Sequence, residues 1–337
     1  MVKVGIVGTG FIGDVHAEAY KRIKNAELVA VVDKAEVKGK EFAKKFKVKF
    51  YNDIDKLLET DEVDVIDVCV PSYLHKDIVK KAANAGKNIL CEKPVALSLE
   101  DADEMIKQIN KNNVKAMVGH ILRFWPEYVK TKEIIDSKEL GKPLYASCER
   151  VVAVNPEWRD KDSWAFKKEL SGGAPLDVQI HDIDYLIWLF GMPKSIKSQG
   201  LYKTEFGGWA HIGSLFEFED GMSGFAEAGW AFKGAFPFTT KLRILCEDGT
   251  IEWIFRAGGT FGTKGKESSV NVYKPDGKIY IPEIEKEDPF YLELEYFINC
   301  IERDEEIKNS TFEDARNTLK TVLAVIESAE ENKIVKL

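Results

Sequence analysis

The sequence contains few cysteines, no long apolar run and no excess of basic residues. Its five cysteines lie far apart and form no C-x-x-C pair, which argues against a disulfide framework or a zinc knuckle and is typical of a reducing compartment. No stretch approaches the run of about 18 apolar residues that predicts a membrane-spanning helix. The formal net charge of -8 argues against nucleic-acid binding, which calls for a clustered basic surface.

These absences predict a soluble cytoplasmic protein with no nucleic-acid or membrane partner. The first predicted strand begins at Val2, which leaves no room for a signal peptide. Hydrophobic residues make up 45% of the chain and charged residues 31%, a balance typical of globular proteins. A length of 337 residues favours two domains, and we place the expected boundary between 1–121 and 122–337.

Residues 1–121 alternate between patterns typical of strands and patterns typical of helices. Strands separated by helices of this length need parallel crossover connections, so the pattern predicts a doubly wound parallel sheet of the α/β class. Ser98-x-x-Asp101 predicts a capping box at the start of the last of these helices. The predicted strands are 2–7, 28–33, 63–70, 88–91 and 115–118, and the predicted helices are 11–24, 35–46, 74–85 and 99–112.

Residues 122–337 show a different texture, in which strand patterns are joined by short turn signals. The turns Asp220-Gly221, Asp248-Gly249 and Pro275-Asp276-Gly277 predict a large, mostly antiparallel sheet, and hence an α+β domain. Thr311-x-x-Asp314 predicts a capping box before the last helix. The predicted helices here are 123–138, 174–190, 289–302 and 312–332, and the first predicted strand is 144–154.

A glycine fingerprint, Gly8-Thr9-Gly10-Phe11-Ile12-Gly13, follows the first strand and opens the first helix. Glycines at these positions allow a tight turn, close approach to a pyrophosphate and tight helix packing, while the helix N-terminus offers amides to phosphates. Asp33 ends the second strand, where its carboxylate can accept hydrogen bonds from ribose hydroxyls and repel a 2′-phosphate. The pattern predicts a Rossmann dinucleotide-binding domain that prefers NAD to NADP. Lys34 partly offsets this preference, and a surface acid is the alternative interpretation of Asp33.

Further motifs extend along nearly the whole chain. They are Val70-Pro71-Ser72-x-x-His75, Glu92-Lys93-Pro94, Gly119-His120-x-x-Arg123-Phe124-x-Pro126 and Gly172-Gly173…Asp177-x-x-x-His181-x-x-Asp184. With the fingerprint, this set resembles the glucose–fructose oxidoreductase / inositol dehydrogenase family, also called MocA-type, of two-domain nicotinamide-dependent dehydrogenases.

The resemblance assigns roles to three residues. It implies that Lys93 contacts both the nicotinamide ribose and the reacting hydroxyl, that His181 is the acid/base, and that Asp177 orients His181 or the substrate. Physical chemistry agrees, because histidine exchanges protons near neutrality and residues four apart share a helix face. The resemblance also implies a cis Lys93-Pro94 bond. The predicted cofactor-binding residues are Gly8, Thr9, Gly10, Phe11, Ile12, Gly13, Asp33, Pro71, Ser72, His75, Glu92 and Lys93.

Each assignment has a plainer alternative. Lys93 could be an exposed loop lysine, His181 a packed core histidine, and Asp177 only a helix cap. His75 could be a solvent-exposed residue at a helix start. The motif-free histidines indicate packing rather than ligation, and no grouping of His, Cys and carboxylates has metal-ligand spacing, so we predict no metal. Asp184, one turn past His181, stays outside the predicted site.

The substrate is the least readable part of the sequence. Aromatic faces suit sugar C–H surfaces and arginines suit a carboxylate or phosphate, but a surface or packing role is an equal alternative for each candidate. Gln179 and Ala174 replace glycines often found in the family near the Asp…His pair, which makes the pocket harder to assign. The candidates are Arg123, Asn155, Trp158, Arg159 and Trp164.

The predicted function is hydride transfer between NAD and a secondary hydroxyl of a sugar, an inositol-like polyol or a sugar derivative. Two alternatives remain open: a non-redox sugar enzyme that retains NAD, and a non-catalytic NAD-binding regulator. The resemblance also implies a homodimer or homotetramer formed through the C-terminal sheet, within about 195–281. The apolar positions predicted on its open face are Phe216, Phe218, Phe225 and Trp230.

Overall fold

The computed structural model describes residues 1–153, 167–204, 208–257, 266–267 (backbone only) and 269–337. The chain forms two compact units. The first contains Met1–Trp125 and Glu287–Arg316, and the second contains Pro126–Lys286 and Asn317–Leu337. The first crossing lies close to the expected boundary after residue 121, but the chain returns to the first unit near its C-terminal end.

The first unit is built on six parallel strands among its described residues. The strands are β1 (Val2–Val7), β2 (Ala26–Val32), β3 (Lys49–Tyr51), β4 (Val65–Val68), β5 (Asn88–Glu92) and β6 (Ala116–Gly119). The helices are α1 (Phe11–Tyr20), α2 (Glu36–Phe46), α3 (Ile54–Leu58), α4 (His75–Asn84) and α5 (Leu99–Asn112). The alternation of strands and helices predicted from the sequence is confirmed. β3 and α3 were not predicted, because both are only a few residues long.

The strand order is β3-β2-β1-β4-β5-β6, which is the arrangement of a Rossmann fold. β1 pairs with β2 on one side and with β4 on the other, both in parallel. The chain therefore reverses its direction of winding between β1 and β4. Open α/β sheets bind ligands at this switch point, beyond the carboxyl ends of the strands.

Helix α9 (Pro289–Glu302) explains why the chain returns to the first unit. Its apolar side chains Leu294, Phe297 and Ile298 are fully buried and share one core cluster with Val4 and Ile6 of β1. Because burial of each such side chain contributes roughly 1.5–3 kcal/mol, this packing fixes α9 to the parallel sheet of the first unit. α10 (Phe312–Glu331) begins in the first unit and continues in the second.

The second unit contains a mostly antiparallel sheet of ten strands among the described residues, in which only β7 and β10 pair in parallel. The strands are β7 (Pro143–Val151), β8 (Ser195–Lys203), β9 (Gly208–Glu217), β10 (Ser223–Gly229), β11 (Thr239–Cys246), β12 (Gly249–Arg256), β13 (Lys266–Glu267), β14 (Asn271–Tyr273), β15 (Ile279–Tyr280) and β16 (Val335–Lys336). The helices are α6 (Pro126–Ser137), α7 (Lys168–Ser171), a π-helical turn (Pro175–Gln179) and α8 (Ile180–Phe190). The predicted α+β architecture is confirmed.

Burial along these strands alternates with period two and corrects one prediction about the open face. Phe216, Phe218 and Trp230 are buried and do not belong to it. Leu215 is exposed and pairs in register with the half-buried Phe225. The error arises because one position along a strand reverses the face of the sheet, and aromatic character alone does not tell which face helices cover.

The predicted capping box is complete at Thr311, and at Ser98 the hydroxyl cap is present. The Asp101 amide donates to Ser98 Oγ at 3.1 Å, and Thr311 and Asp314 exchange two such bonds, each 3.0 Å long. Within the described part of the chain, no helix is both long and apolar enough to cross a membrane.

Candidate functional site

The glycine fingerprint lies between β1 and α1, at the switch point. A Cβ on Gly8 would approach the Cys69 carbonyl oxygen to 2.5 Å, and a Cβ on Gly13 would approach the Gly8 carbonyl oxygen to 2.2 Å. Only glycine fits these two positions. Gly10 differs, because a Cβ there would meet nothing within 4 Å. The backbone is therefore tightly packed at Gly8 and Gly13, whereas the space next to Gly10 is open. This open space fits a diphosphate at the helix N-terminus.

Asp33 stands just after β2 and is linked to the fingerprint. Its Oδ2 accepts the Thr9 amide at 2.8 Å and the Thr9 hydroxyl, while Oδ1 accepts the Ala35 amide at 2.7 Å. The carboxylate is half-buried, so it is fixed at the strand end without being sealed from a ligand. This position fits the ribose of a dinucleotide. The plainer interpretation, a freely solvated surface acid, does not describe these bonds.

Pro71 and Ser72 follow β4, and His75 is the first residue of α4. His75 is only 1% exposed, so the alternative of a solvent-exposed histidine is wrong. Its Nε2 lies 2.9 Å from the Val70 carbonyl oxygen and its Nδ1 lies 3.0 Å from the Pro94 carbonyl oxygen. Burial lowers the pKa of His75, partly offset by these carbonyls and by Glu92. The His75 ring therefore joins the segment after β4 to the loop after β5.

Lys93 follows β5, and the Lys93-Pro94 peptide bond is cis, as expected. The Lys93 side chain is half-buried, and its backbone amide donates to Glu92 Oε2 at 3.1 Å. Gly119 of β6 leaves room for this carboxylate, since a Cβ there would lie 2.9 Å from Glu92 Oε1. Glu92 therefore fills the space beside β6 and fixes the backbone that carries Lys93.

Behind Glu92 lies a buried group of polar side chains that includes His16, Asp67 and Cys69. His16 Nδ1 lies 2.9 Å from Asp67 Oδ2, and the Cys69 thiol donates to Asp67 Oδ1 at 3.3 Å. The three ligand-type atoms are close enough to surround an ion, but hydrogen bonds account for the distances. We assign no metal ligands, and the absence of a metal stays a prediction. His16 is one of the histidines outside the motifs, for which the sequence indicated packing, and the structure adds its contact with Asp67.

Asp177 and His181 lie in the second unit, across the junction between the π-helical turn and α8. Wide π turns recur at functional sites because they change the direction of side chains within a helix. Both residues are half-buried, whereas the flanking Ile180 and Ile183 are buried. Asp177 is not an N-cap residue of either segment; those positions are Ala174 and Gln179. Asp177 lies in the first turn of the π-helical segment, where a carboxylate can stabilise the helix start, so the capping alternative stays open.

The residues that replace family glycines anchor the π turn to the sheet. Gln179 is fully buried, and its Nε2 donates to Ser214 Oγ at 3.1 Å and to the Ala226 carbonyl oxygen at 2.8 Å. Ala174 packs against Trp230 in a small apolar cluster. Both substitutions thus hold the turn that carries Asp177.

A buried ion pair next to His181 was not predicted. Arg150 of β7 contacts Asp182 through two hydrogen bonds, 2.9 Å from Nε and 3.0 Å from Nη2, and Nη2 also donates to the Tyr128 hydroxyl at 3.1 Å. Burial alone would lower the pKa of Arg150, but Asp182 and Tyr128 raise it above its usual range. The only sequence signal is an arginine at an inward position of an alternating strand.

The remaining predictions concern substrate contacts. Arg123 is 4% exposed, and its Nη1 donates to Asp314 Oδ2 at 2.9 Å, so its placement favours holding the start of α10 over binding a substrate. Asp184 is buried and accepts a 2.9 Å bond from the Thr318 hydroxyl, in line with its exclusion from the site. Asn155, Trp158, Arg159 and Trp164 lie outside the described residues.

Sequence comparisons identify relatives for both units. The model of the oxidoreductase family with an NAD-binding Rossmann fold matches residues 2–120, and the GFO/IDH/MocA C-terminal domain matches residues 128–252. A 2,7-anhydro-N-acetylneuraminate hydratase of Mediterraneibacter gnavus is 30% identical over 377 aligned positions, covering 100% of this chain and 96% of that protein. A myo-inositol 2-dehydrogenase of Thermotoga maritima is 28% identical, covering 100% and 98%.

Some matches are partial. An uncharacterized oxidoreductase of Streptococcus pneumoniae is 36% identical over 226 residues, which are 66% of this chain and only 58% of that protein. Among solved structures, the WlbA dehydrogenase of Bordetella pertussis, crystallised with NADH and UDP-GlcNAcA, has a TM-score of 0.84 at 21% identity, covering 100% of this chain and 98% of that chain. This last likeness concerns the fold alone. The chain belongs to the GFO/IDH/MocA family of oxidoreductases, and its first unit is the family's NAD-binding Rossmann fold.

Proposed function

We propose that this protein is an NAD-dependent oxidoreductase that moves a hydride between the nicotinamide and a secondary hydroxyl of a sugar, polyol or sugar derivative. The observation that carries the proposal is Lys93 at the carboxyl end of β5, with its backbone fixed by Glu92, in a sheet whose switch point fits a dinucleotide. Family membership and the inositol dehydrogenase relative support the substrate class.

The proposed cofactor contacts follow from the first unit. NAD, when bound, supplies the acceptor for the hydride. The amides at the N-terminus of α1 bind the diphosphate, and Asp33 accepts hydrogen bonds from the adenosine ribose. The charge of Asp33 disfavours a 2′-phosphate, so NAD is preferred to NADP. Pro71, Ser72 and His75 belong to the loop proposed to lie under the nicotinamide end.

The proposed chemistry divides between a cation and a base. When a hydroxyl loses its proton, negative charge develops on its oxygen, and the Lys93 ammonium stabilises that charge. His181 takes the proton during oxidation and returns it during reduction, a role suited to imidazole because it titrates near neutrality. Asp177, on the preceding π turn, orients the imidazole or the substrate.

A second candidate function is a non-redox sugar enzyme that retains its NAD and oxidises the substrate only transiently. One observation favours it: a relative aligned along the whole chain is named a hydratase. The same Lys93, His181 and Asp177 would serve, because a transient oxidation needs the same cation and base. What separates the two functions is whether reduced cofactor leaves the enzyme.

The deciding experiment is a panel of aldoses, inositols, amino sugars, sugar acids and anhydro sugars, incubated with NAD. NADH absorbance and product mass are measured together. One NADH per product supports the dehydrogenase, whereas product without NADH supports the second candidate. Lys93→Ala should abolish both signals, and Lys107→Ala, which removes an exposed lysine of α5, is its matched control. Binding of NAD without turnover of any compound would instead indicate a regulator.

We also propose that the open face of the second unit's sheet joins subunits into a homodimer or homotetramer. Its exposed positions include Tyr145, Leu215 and Leu245, beside Phe225. An exposed apolar surface of this kind is typical of an interface. Leu215→Lys should reduce the mass measured by light scattering to that of a monomer, while Val37→Lys, at an exposed valine of α2, should not. A monomeric unmodified protein at micromolar concentration would contradict the proposal.

A further inference from the structure

Four elements of the first unit bring ionisable groups together behind Lys93. His16 and Tyr20 lie on α1, Asp67 and Cys69 lie on or just after β4, Glu92 ends β5, and Glu293 lies on α9. All six residues are buried. The Phe290 ring, with its centroid 5.8 Å from that of His16, closes the group from the side of α9.

His16 lies between two carboxylates. Its Nδ1 is 2.9 Å from Asp67 Oδ2, and its Nε2 is 3.2 Å from Glu92 Oε1. A neutral imidazole has one N–H, so one of these carboxylates would face a lone pair at close range. An imidazolium carries an N–H on both nitrogens and supplies a positive charge between two buried acids, which would otherwise repel each other.

The direction in which each pKa is shifted agrees with this charge state. Burial alone would lower the pKa of His16, but Asp67 raises it well above its usual value. Burial alone would raise the pKa of Glu92, but His16 and Lys93 lower it. Burial raises the pKa of the Cys69 thiol, which therefore keeps its proton and acts as a donor to Asp67. Tyr20, beside Asp67, also has a pKa raised by burial.

We propose that His16 is a positioning residue for Lys93: held as an imidazolium between Asp67 and Glu92, it fixes the Glu92 carboxylate and, through it, the Lys93 backbone. The last link is the 3.1 Å bond from the Lys93 amide to Glu92 Oε2. The role of Lys93 in this inference rests on the proposed function. The charge state and the connection to Glu92 do not.

The position of His16 on α1 gives the chain of contacts from Asp67 through His16 and Glu92 to Lys93 a second consequence. α1 begins at Phe11, directly after the fingerprint, and also carries His16. The helix whose N-terminus is proposed to bind the diphosphate is therefore tied by one side chain to the strand end that carries Lys93. Loss of His16 should thus disturb the placement of Lys93 more than the affinity for NAD, because the fingerprint backbone remains in place.

The first test is nitrogen NMR of the unmodified protein with labelled histidine. The chain has five histidines, and the His16 signals are assigned by their loss in His16→Gln, or by elimination from variants of the other four. We expect both ring nitrogens of His16 to show protonated shifts at about pH 7.5, above the usual histidine pKa of about 6.5. A neutral His16 at that pH would overturn the proposal.

The variant Cys69→Ser distinguishes an imidazolium at His16 from a metal site formed by His16, Asp67 and Cys69. Serine keeps a donor to Asp67 but removes the sulfur that a soft metal would bind. We expect the imidazolium signature to persist in this variant. Stoichiometric zinc, copper or iron in the purified protein, lost together with the signature in Cys69→Ser, would overturn the proposal.

The second test is kinetic and uses His16→Gln and Glu92→Gln. Each should lower kcat by roughly 10-fold to 100-fold, the usual cost of a misplaced reacting group, with the Kd for NADH changed less than about threefold. The double variant should be no worse than either single one, because both break the same chain of bonds. Normal kcat in His16→Gln would overturn the positioning role. If no substrate is found, the proposed function fails, and the NMR result still decides the charge state.

Discussion

The two units both place a buried ion pair directly beside a candidate catalytic residue, but the cation differs. In the first unit Glu92, the neighbour of Lys93, faces His16. In the second unit Asp182, the neighbour of His181, faces Arg150. An imidazole titrates near neutrality, whereas a guanidinium stays charged at every pH that a protein survives. The support of Lys93 is therefore sensitive to pH, and the support of His181 is not.

The comparison shows how a catalytic residue can be fixed without being buried itself. Lys93 and His181 are half-buried, and their sequence neighbours carry the buried charges. A buried pair with good geometry resists movement, since separating it would leave an uncompensated charge in the interior. The reactive group stays accessible while its backbone is held. We expect the two units to differ in how this support fails.

The largest expected effect concerns the chemistry itself. His181→Ala should lower turnover by about 10²–10⁴, the usual contribution of a positioned general base, and remove the acidic limb of the pH–rate profile. NAD binding should stay nearly intact, because the fingerprint and Asp33 are unchanged. Steady-state kinetics and a binding titration measure these two quantities. Near-normal turnover would reject the acid/base role and favour a regulator.

Lys93→Ala should be at least as damaging, because it removes both a charge and a positioning contact. A modest loss of NAD affinity should accompany it, in contrast to His181→Ala. Asp177→Ala should lower turnover less than either if it only orients its neighbour. Full turnover by Lys93→Ala would show that the first unit binds the cofactor but contributes no catalytic side chain through Lys93.

The next effect concerns the fixed pair of the second unit. Asp182→Asn leaves the Arg150 charge buried without its partner and should lower the free energy of unfolding by about 3–5 kcal/mol. The matched control is Asp136→Asn on α6, whose partner Lys132 forms an exposed pair and whose loss should cost less than about 1 kcal/mol. Urea unfolding measures both. An equal loss of unfolding free energy in the two variants would mean that the buried Arg150–Asp182 pair contributes no more to stability than the Lys132–Asp136 pair.

The first unit was easier to predict than the second, for physical reasons. Its parallel strands are covered on both faces and appear as plain apolar runs, so the bounds of β1 agree with the expected ones. In the second unit the alternation was visible, but not which face the helices cover, and Phe216 and Trp230 were therefore assigned to the wrong side.

The site shows the same division. Motifs located Asp33, Lys93 and His181, since each stands at a fixed distance from a recognisable element. The Arg150–Asp182 pair joins residues 32 positions apart, and His16 meets Asp67 across 51 positions. Local sequence patterns do not predict such pairings, because they depend on the register of strands and on the packing of helices. The supporting charges therefore had to come from the structure.

A smaller effect concerns the choice of cofactor in the first unit. The unmodified protein should bind NAD more tightly than NADP, and Asp33→Ala should narrow the gap by about tenfold, which is roughly 1.4 kcal/mol, because the charge that repels a 2′-phosphate is gone. Thr9→Val is the control, since it removes the hydroxyl bonded to Asp33 but keeps the carboxylate and should keep the preference. Tighter binding of NADP by the unmodified protein would overturn the assignment.

The smallest effect, and the sharpest test of the comparison, is the pH dependence of stability. The pKa of His16 is raised in the folded protein, so its stabilising contribution is complete below the unfolded value of about 6.5 and is lost as pH rises through the folded value. The pKa of His75 is lowered by burial, so its contribution is complete above about 6.5 and is lost as pH falls through the folded value. The destabilisation caused by His16→Gln should therefore shrink on the alkaline side, and that caused by His75→Gln on the acid side. The urea midpoints of both histidine variants are measured from the acid to the alkaline side of about pH 6.5. Asp182→Asn is the control, because the stability that it loses should stay constant above neutrality. Parallel trends for the two histidine variants would mean that the first unit holds both rings in the same charge state, and the contrast with the fixed pair of the second unit would fail.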